Sequence, residues 1–253
     1  MDFIHLPRTD RQPAPARYGK LRVAHDLRPA QWVVEAFPDD SLFGTVAGMC
    51  TPGFPAYARV LHPAVLDGRP VRWDEVARAC PGDRRAVSGE TWWYELVGAD
   101  APYADEEQAG LPGVWDEMAW EGPMPPPVAA LLASALSRCT RTPERCWYGL
   151  WNGYGTFEWG TAVPTFPTPH RDRVLLSGPL ADVTSPAGDA PDGSAGDHIE
   201  LPDLWWPEDR AWCVGGGTEL KSTYVGGSEA CIAALLAVPG LEVHPVDPGA
   251  RVG

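Results

Sequence analysis

The residues of this chain that could do chemistry fall into familiar-looking groups, most of which fail on spacing. Ser228 lies in Gly226-Gly227-Ser228-Glu229-Ala230, between a strand-like and a helix-like stretch, where a hydrolase nucleophile would sit. A nucleophilic serine needs a histidine to take its proton and an acid to orient that histidine. Only His244 follows it, with Asp247 after the histidine instead of before it, so Ser228 reads as the cap of a helix. Gly217-Thr218-Glu219-Leu220-Lys221-Ser222 has the outline of a phosphate-binding loop. That loop requires glycine directly before the lysine; Leu220 stands there, and a hairpin turn is the expectation.

Metal and thiol chemistry fare no better. The histidines at 5, 25, 62, 170, 198 and 244 are scattered, with no Cys-x-x-Cys and no His-Glu-x-x-His, so neither a metal nor a cofactor is expected. Asp182, Asp189, Asp192 and Asp197 lack the spacing of a calcium loop. The cysteines at 50, 80, 139, 146, 213 and 231 belong to no short exported scaffold and are expected as reduced thiols, with Cys139 and Cys146 as small apolar residues. Adjacent carboxylates such as Glu106/Glu107, Asp116/Glu117 and Glu208/Asp209 cannot by themselves face one another across a substrate.

Two constellations survive. Residues 86–137 contain nine acids and no Lys or Arg, and aromatic rings are interleaved with them. Trp92, Trp93, Tyr103, Asp105, Glu106, Glu107, Trp115, Asp116, Glu117 and Trp120 are therefore the candidate partner-binding residues, because tryptophan supplies a rigid anchor at interfaces. The second group is His62, Trp205, Trp206, Glu208, Asp209, Arg210, Tyr224 and His244, where polar groups crowd an aromatic cluster. It would serve a noncontiguous catalytic site or a cleft for a small molecule or glycan; Arg210 could equally form a structural ion pair.

The net charge is −14, from 20 basic and 34 acidic residues. Residues 1–85 carry 12 bases and 10 acids, whereas residues 138–253 carry 8 and 15. Such a field repels nucleic-acid backbones and speeds encounter with a basic protein. The longest apolar run, Ala230 to Val238, is far short of a membrane span, and the proline-containing start lacks the apolar region of a secretory signal. A cytoplasmic protein without membrane or nucleic-acid partners is the expectation.

The elements that must position these residues are read from periodicity and turn residues. Strands are expected at Trp32–Ala36, Leu42–Met49 and Ala56–Leu61, a helix at Trp73–Cys80, and either state at Thr91–Val97. Pro125-Pro126-Pro127 fits only the entry of a helix over Val128–Arg138. Cys146–Trp151 and Tyr154–Trp159 suggest a hairpin about Asn152-Gly153, and Arg173–Ser177 a further strand. Strands at Trp212–Val214, Ser222–Val225 and Leu241–Val246 flank a helix over Ser228–Val238. Mainly antiparallel strands with a few helices imply an α+β domain over 21–253. An extended arm over 1–20 and a mobile loop at 179–203, without Lys or Arg, complete the outline.

Tyr57-Ala58-Arg59-Val60-Leu61-His62-Pro63 with Trp73-Asp74-Glu75-Val76-Ala77, Cys146–Gly155, and Trp205-Trp206-Pro207-Glu208-Asp209-Arg210-Ala211-Trp212-Cys213-Val214 leading to Thr223-Tyr224-Val225-Gly226-Gly227-Ser228 are distinctive. They resemble an uncharacterised Trp-rich protein family of high-GC Gram-positive bacteria. That resemblance covers most of residues 42–246 and implies no activity. Charge and composition favour a non-catalytic, immunity-like binding protein that presents an acidic aromatic face to a basic protein partner, by analogy of charge with acidic immunity proteins. An enzyme or a small-molecule binder is the alternative.

Overall fold

The computed structural model describes residues 12–80, 86–98, 110–154, 157–159, 163–169, 171–188 and 200–252. Within them lie fourteen strands: β1 (Gln12–Pro13), β2 (Arg17–Tyr18), β3 (Leu21–Val23), β4 (Ala56–Leu61), β5 (Ala64–Leu66), β6 (Arg69–Val71), β7 (Cys146–Trp151), β8 (Phe157–Glu158), β9 (Thr165–Pro167), β10 (Asp172–Gly178), β11 (Leu204–Pro207), β12 (Trp212–Gly215), β13 (Ser222–Gly227) and β14 (Glu242–Pro245). The helices are α1 (Gln31–Glu35), α2 (Val46–Cys50), α3 (Trp73–Ala79), α4 (Trp93–Val97), α5 (Pro126–Leu136), α6 (Ser185–Gly188) and α7 (Glu229–Leu236). Ten strands form one sheet, in the order β14-β4-β13-β12-β11-β7-β10-β3-β2 with β9 also on β10. Every pairing in it is antiparallel. The fold is α+β, dominated by this sheet.

Strand alternation gives the sheet two apolar faces. Ala58, Val60, Tyr148, Leu150, Val174, Leu176, Trp205, Trp212, Val214 and Val225 point to one face, where Val128, Leu132 and Leu136 of α5 and Ile232 and Leu235 of α7 cover them. The two helices begin as the sequence dictates. Proline fills the first turn of α5, and the Cys231 N–H donates to Ser228 Oγ at 3.1 Å at the head of α7. Ser228 is thus a cap.

The opposite face carries Tyr57, Leu175, Leu204, Trp206, Cys213 and Tyr224, packed under α1 and α2. These two helices, α1 over Gln31–Glu35 and α2 over Val46–Cys50, fall where strands were expected at Trp32–Ala36 and Leu42–Met49. Thr45 caps α2 by accepting from the Gly48 N–H at 3.2 Å, and Gly44 turns the chain just before it at φ 72°. At Gly215 an added Cβ would lie 2.0 Å from the Met49 carbonyl oxygen, so α2 sits against β12 at a distance only glycine allows. The expected hairpin also pairs differently: β8 joins β1 in parallel, while β7 is flanked by β10 and β11. Between 179 and 203, Leu180–Asp182 and Ser185–Gly188 are helical turns, and Leu201 and Asp203 are buried.

A third core, built on Leu61, Trp73, Val76, Trp93, Trp115 and Ala119, joins α3, α4, the β5–β6 hairpin and the loop at 110–120 to the end of β4. Glu242 of β14 anchors it. Its buried carboxylate accepts from the Trp73 N–H at 2.6 Å and the Asp74 N–H at 3.0 Å, closing the N-terminus of α3. No helix among the described residues is long and apolar enough to cross a membrane.

Candidate functional site

The described parts of the acid-rich segment before α5, residues 86–98 and 110–121, pack on this third core, and their aromatic residues separate into two kinds. Trp93 and Trp115 are buried and meet edge to face at 5.9 Å, with Trp73 against Trp93 at 5.2 Å. They are packing residues, not anchors for a partner. Trp92 is half-buried. Trp120 is 51% exposed, its ring N–H donating to the Pro123 carbonyl at 2.7 Å, which fixes the indole while leaving its surface open to water. Asp116, Glu117 and Glu121 beside it are exposed, as are Glu90 and Glu95. Asp116 accepts from the Asp67 N–H at 2.9 Å, and Glu121 pairs with Lys221. Tyr103, Asp105, Glu106 and Glu107 lie outside the described residues.

The second constellation is not brought together. His62 follows β4, and β13 and β12 lie between that strand and β11. Its buried ring is held by two bonds, Nδ1 to the Trp120 carbonyl and Nε2 to Thr223 Oγ1, both 2.9 Å. A carbonyl only accepts, so Nδ1 carries the proton and Nε2 receives the threonine hydroxyl. Burial lowers its pKa to about 4, which keeps the ring neutral and structural. Tyr224 and His244 align across Arg59 of β4, on the other face of the sheet from Val60. Trp205 is sealed in the α5–α7 core with its ring N–H on the Pro202 carbonyl. Asp209 shapes the β11–β12 turn. Burial pushes its pKa up, but bonds from Thr140, the Arg141 N–H and the Ala211 N–H hold the carboxyl below its ordinary value.

Three members of that group, Trp206, Glu208 and Arg210, do meet at a surface. Arg210, at φ 54°, places its guanidinium 5.4 Å from the Trp32 ring, a cation–π contact where an ion pair was one expectation. Together with Asp26, Arg28, Pro29 and Trp147 they line a shallow groove of about 300 Å³. It continues past Trp147 and Glu208 into a larger one of about 590 Å³. The floor is a cross-strand row in direct register, Arg22–Ser177–Trp147–Trp206, over β3, β10, β7 and β11. The Trp147 ring N–H donates to Glu208 Oε2 at 2.5 Å.

Six basic side chains line the two lobes, from Arg17, Lys20, Arg22, Arg28, Arg145 and Arg210. Four acids accompany them, Asp26, Glu144, Asp182 and Glu208, so the lining is net basic by two charges in a chain of −14. Asp26 is taken by Arg28 at 2.6 Å and Asp182 lies 4.0 Å from Lys20. Arg22 and Arg145 are exposed and have no carboxylate within 4.0 Å among the described residues. Burial pushes the Cys146 thiol in the wall up to about 12, so no thiolate nucleophile is available there at neutral pH.

Sequence reasoning missed this groove because its bases come from separate segments that only strand register unites. The surplus of basic residues before residue 86 was the available signal. Among the described residues, no cluster of three or more His, Cys, Asp or Glu could hold a metal ion. Comparison of the chain with protein-family models, with curated proteins and with solved structures finds no match.

Proposed function

We propose that this is a non-catalytic cytoplasmic binding protein whose acidic module, residues 86–121, receives a basic protein partner. The observation that carries the reading is Trp120, half exposed and flanked within five residues by the exposed carboxylates of Asp116, Glu117 and Glu121. A fixed indole with exposed acids beside it in the chain combines an apolar anchor with electrostatic steering. His62, one of the two histidines the enzyme reading named, is neutral and bonded at both ring nitrogens, so it has no free nitrogen with which to take a proton.

The test is affinity capture from lysate of the source cells, read by mass spectrometry. The bait is the wild-type chain, Trp120→Ala, or a variant with Asp105, Glu106, Glu107 and Glu117 changed to Lys. The expected result is a protein of high isoelectric point that wild type retains at low salt, that salt elutes, and that both variants lose. Equal recovery of the same protein on the charge-reversed variant would overturn the proposal.

A further inference from the structure

The structure assigns a second site. We propose that the groove over Arg22, Ser177 and Trp147 binds a small phosphate-bearing ligand with a flat ring, of the nucleoside-phosphate class. Its lobes of about 590 and 300 Å³ fall in the ~300–1,000 Å³ range of small-molecule sites. Arg22 and Arg145, exposed and outside any ion pair among the described residues, supply free planar donor forks suited to phosphate oxygens. Between the lobes stands Trp147, half-buried and held at its ring nitrogen by Glu208. An indole so fixed gives a flat base a stacking surface at little entropic cost. The Ser177 hydroxyl as donor and Oε1 of Glu208 as acceptor provide a donor–acceptor pair for the ring edge of the ligand. Such a pattern does not suit a polyanion such as nucleic acid, which the chain's overall charge would repel.

The test is titration calorimetry on the whole chain with three probes: ATP, inorganic tripolyphosphate and adenosine. ATP is expected to bind best. Changing Arg22 and Arg145 together to Glu should weaken both phosphate probes about tenfold or more, because two charge-assisted donor forks are lost and two anions take their place. Both side chains are solvent-exposed, so this variant keeps its fold, and it carries the test should the half-buried Trp147→Leu fail to fold. Trp147→Leu should weaken ATP and leave tripolyphosphate unchanged. Absence of ATP binding at millimolar concentration, or ATP binding indifferent to the Arg22/Arg145 change, overturns the site. Tripolyphosphate binding as tightly as ATP overturns the ring-bearing ligand. Neither result touches the acidic module, none of whose described residues lines the groove.

Discussion

Replacing Asp203 with Asn should cost this protein more stability than almost any other change of a single atom. Asp203 sits just before β11 with its side chain fully buried, and Arg173 of β10 is 2% exposed. The pair is bidentate, Nε to Oδ1 and Nη2 to Oδ2, both at 3.1 Å, with Arg171 a further cation 3.9 Å from Oδ2. The guanidinium also reaches Thr168 Oγ1 and the Arg171 carbonyl. Its stem lies over Gly149, where a Cβ would stand 2.6 Å from Arg173 Cδ, so the arginine has nowhere to retreat. The amide that Asp203→Asn introduces would turn an NH2 toward a guanidinium and leave a buried charge unanswered. Breaking a buried pair from one side costs ~3–5 kcal/mol, which for a chain of this length lowers Tm by roughly 6–20 °C. Urea unfolding followed by tryptophan fluorescence measures it, as a midpoint shift on the order of 1 M at constant slope. The partner change Arg173→Met and the double variant complete the cycle. The double variant should lose about 2 kcal/mol less than the sum of the singles, because the second change removes the stranded charge. A loss below about 1 kcal/mol for Asp203→Asn, or strictly additive losses, would show that solvent or rearrangement answers the arginine and would refute the argument.

Two further outcomes follow from the same packing. The folded-state pKa of His62 lies near 4, below the 6.5 of a free histidine. The unfolded chain therefore binds a proton first, and stability should fall as pH drops from about 6.5 toward 4, by roughly 3 kcal/mol at most. Denaturation at several pH values should give a shallower slope in that window for His62→Gln. Gly215→Ala would drive a methyl into the Met49 carbonyl, 2.0 Å from the ideal Cβ position. Overpacking of this kind costs ~1–3 kcal/mol, which a thermal melt would register as a lowered Tm.

Much of the fold was legible because the signals are local. The proline-started α5, the serine-capped α7 and the strands at Ala56–Leu61 and Cys146–Trp151 all appear where patterning places them. The errors have physical causes. Trp32-Val33-Val34 has strand-like residues, but one helical turn puts Val33 into the core and the Trp32 ring 6.0 Å from Trp206, and packing outweighs propensity. The Asn152-Gly153 turn forms, yet the chain does not fold back on β7. Both edges of β7 are filled by β10 and β11, a long-range fact no local turn encodes. Of the candidate site, the aromatic rings among acids were legible, but not which of them are exposed: Trp120 is, whereas Trp93 and Trp115 are core. Their third core is assembled from Leu61, Trp73 and Val76, well before them in the chain. The groove was hidden for the same reason, since Arg22, Arg145 and Arg210 become neighbours only through strand pairing.

The placement of the two proposed sites explains how one acidic chain can keep a basic groove. Trp120 lies beside His62, at the end of the strands marked by the Leu61–Ser222 and Gly215–Leu204 pairs. The groove lies at the opposite end, marked by Trp206–Trp147 and Ser177–Arg22. It is also displaced sideways: β4 stands three strands from β11, about 14 Å at the ~4.8 Å spacing of neighbouring strands. That exceeds the ~8 Å over which charges act at physiological ionic strength. At that salt the carboxylates beside Trp120, those of Asp116, Glu117 and Glu121, should not cancel the guanidinium groups of the groove, and each surface keeps its own sign. At about 0.01 M salt the screening length grows to ~30 Å, and the module's field should reach the groove. Changing Glu117 to Lys should then raise affinity for an anion in the groove at low salt and leave it unchanged at physiological salt. Equal effects at both salts would mean that the two surfaces communicate through the protein's structure, and the separation argued from strand order would be wrong.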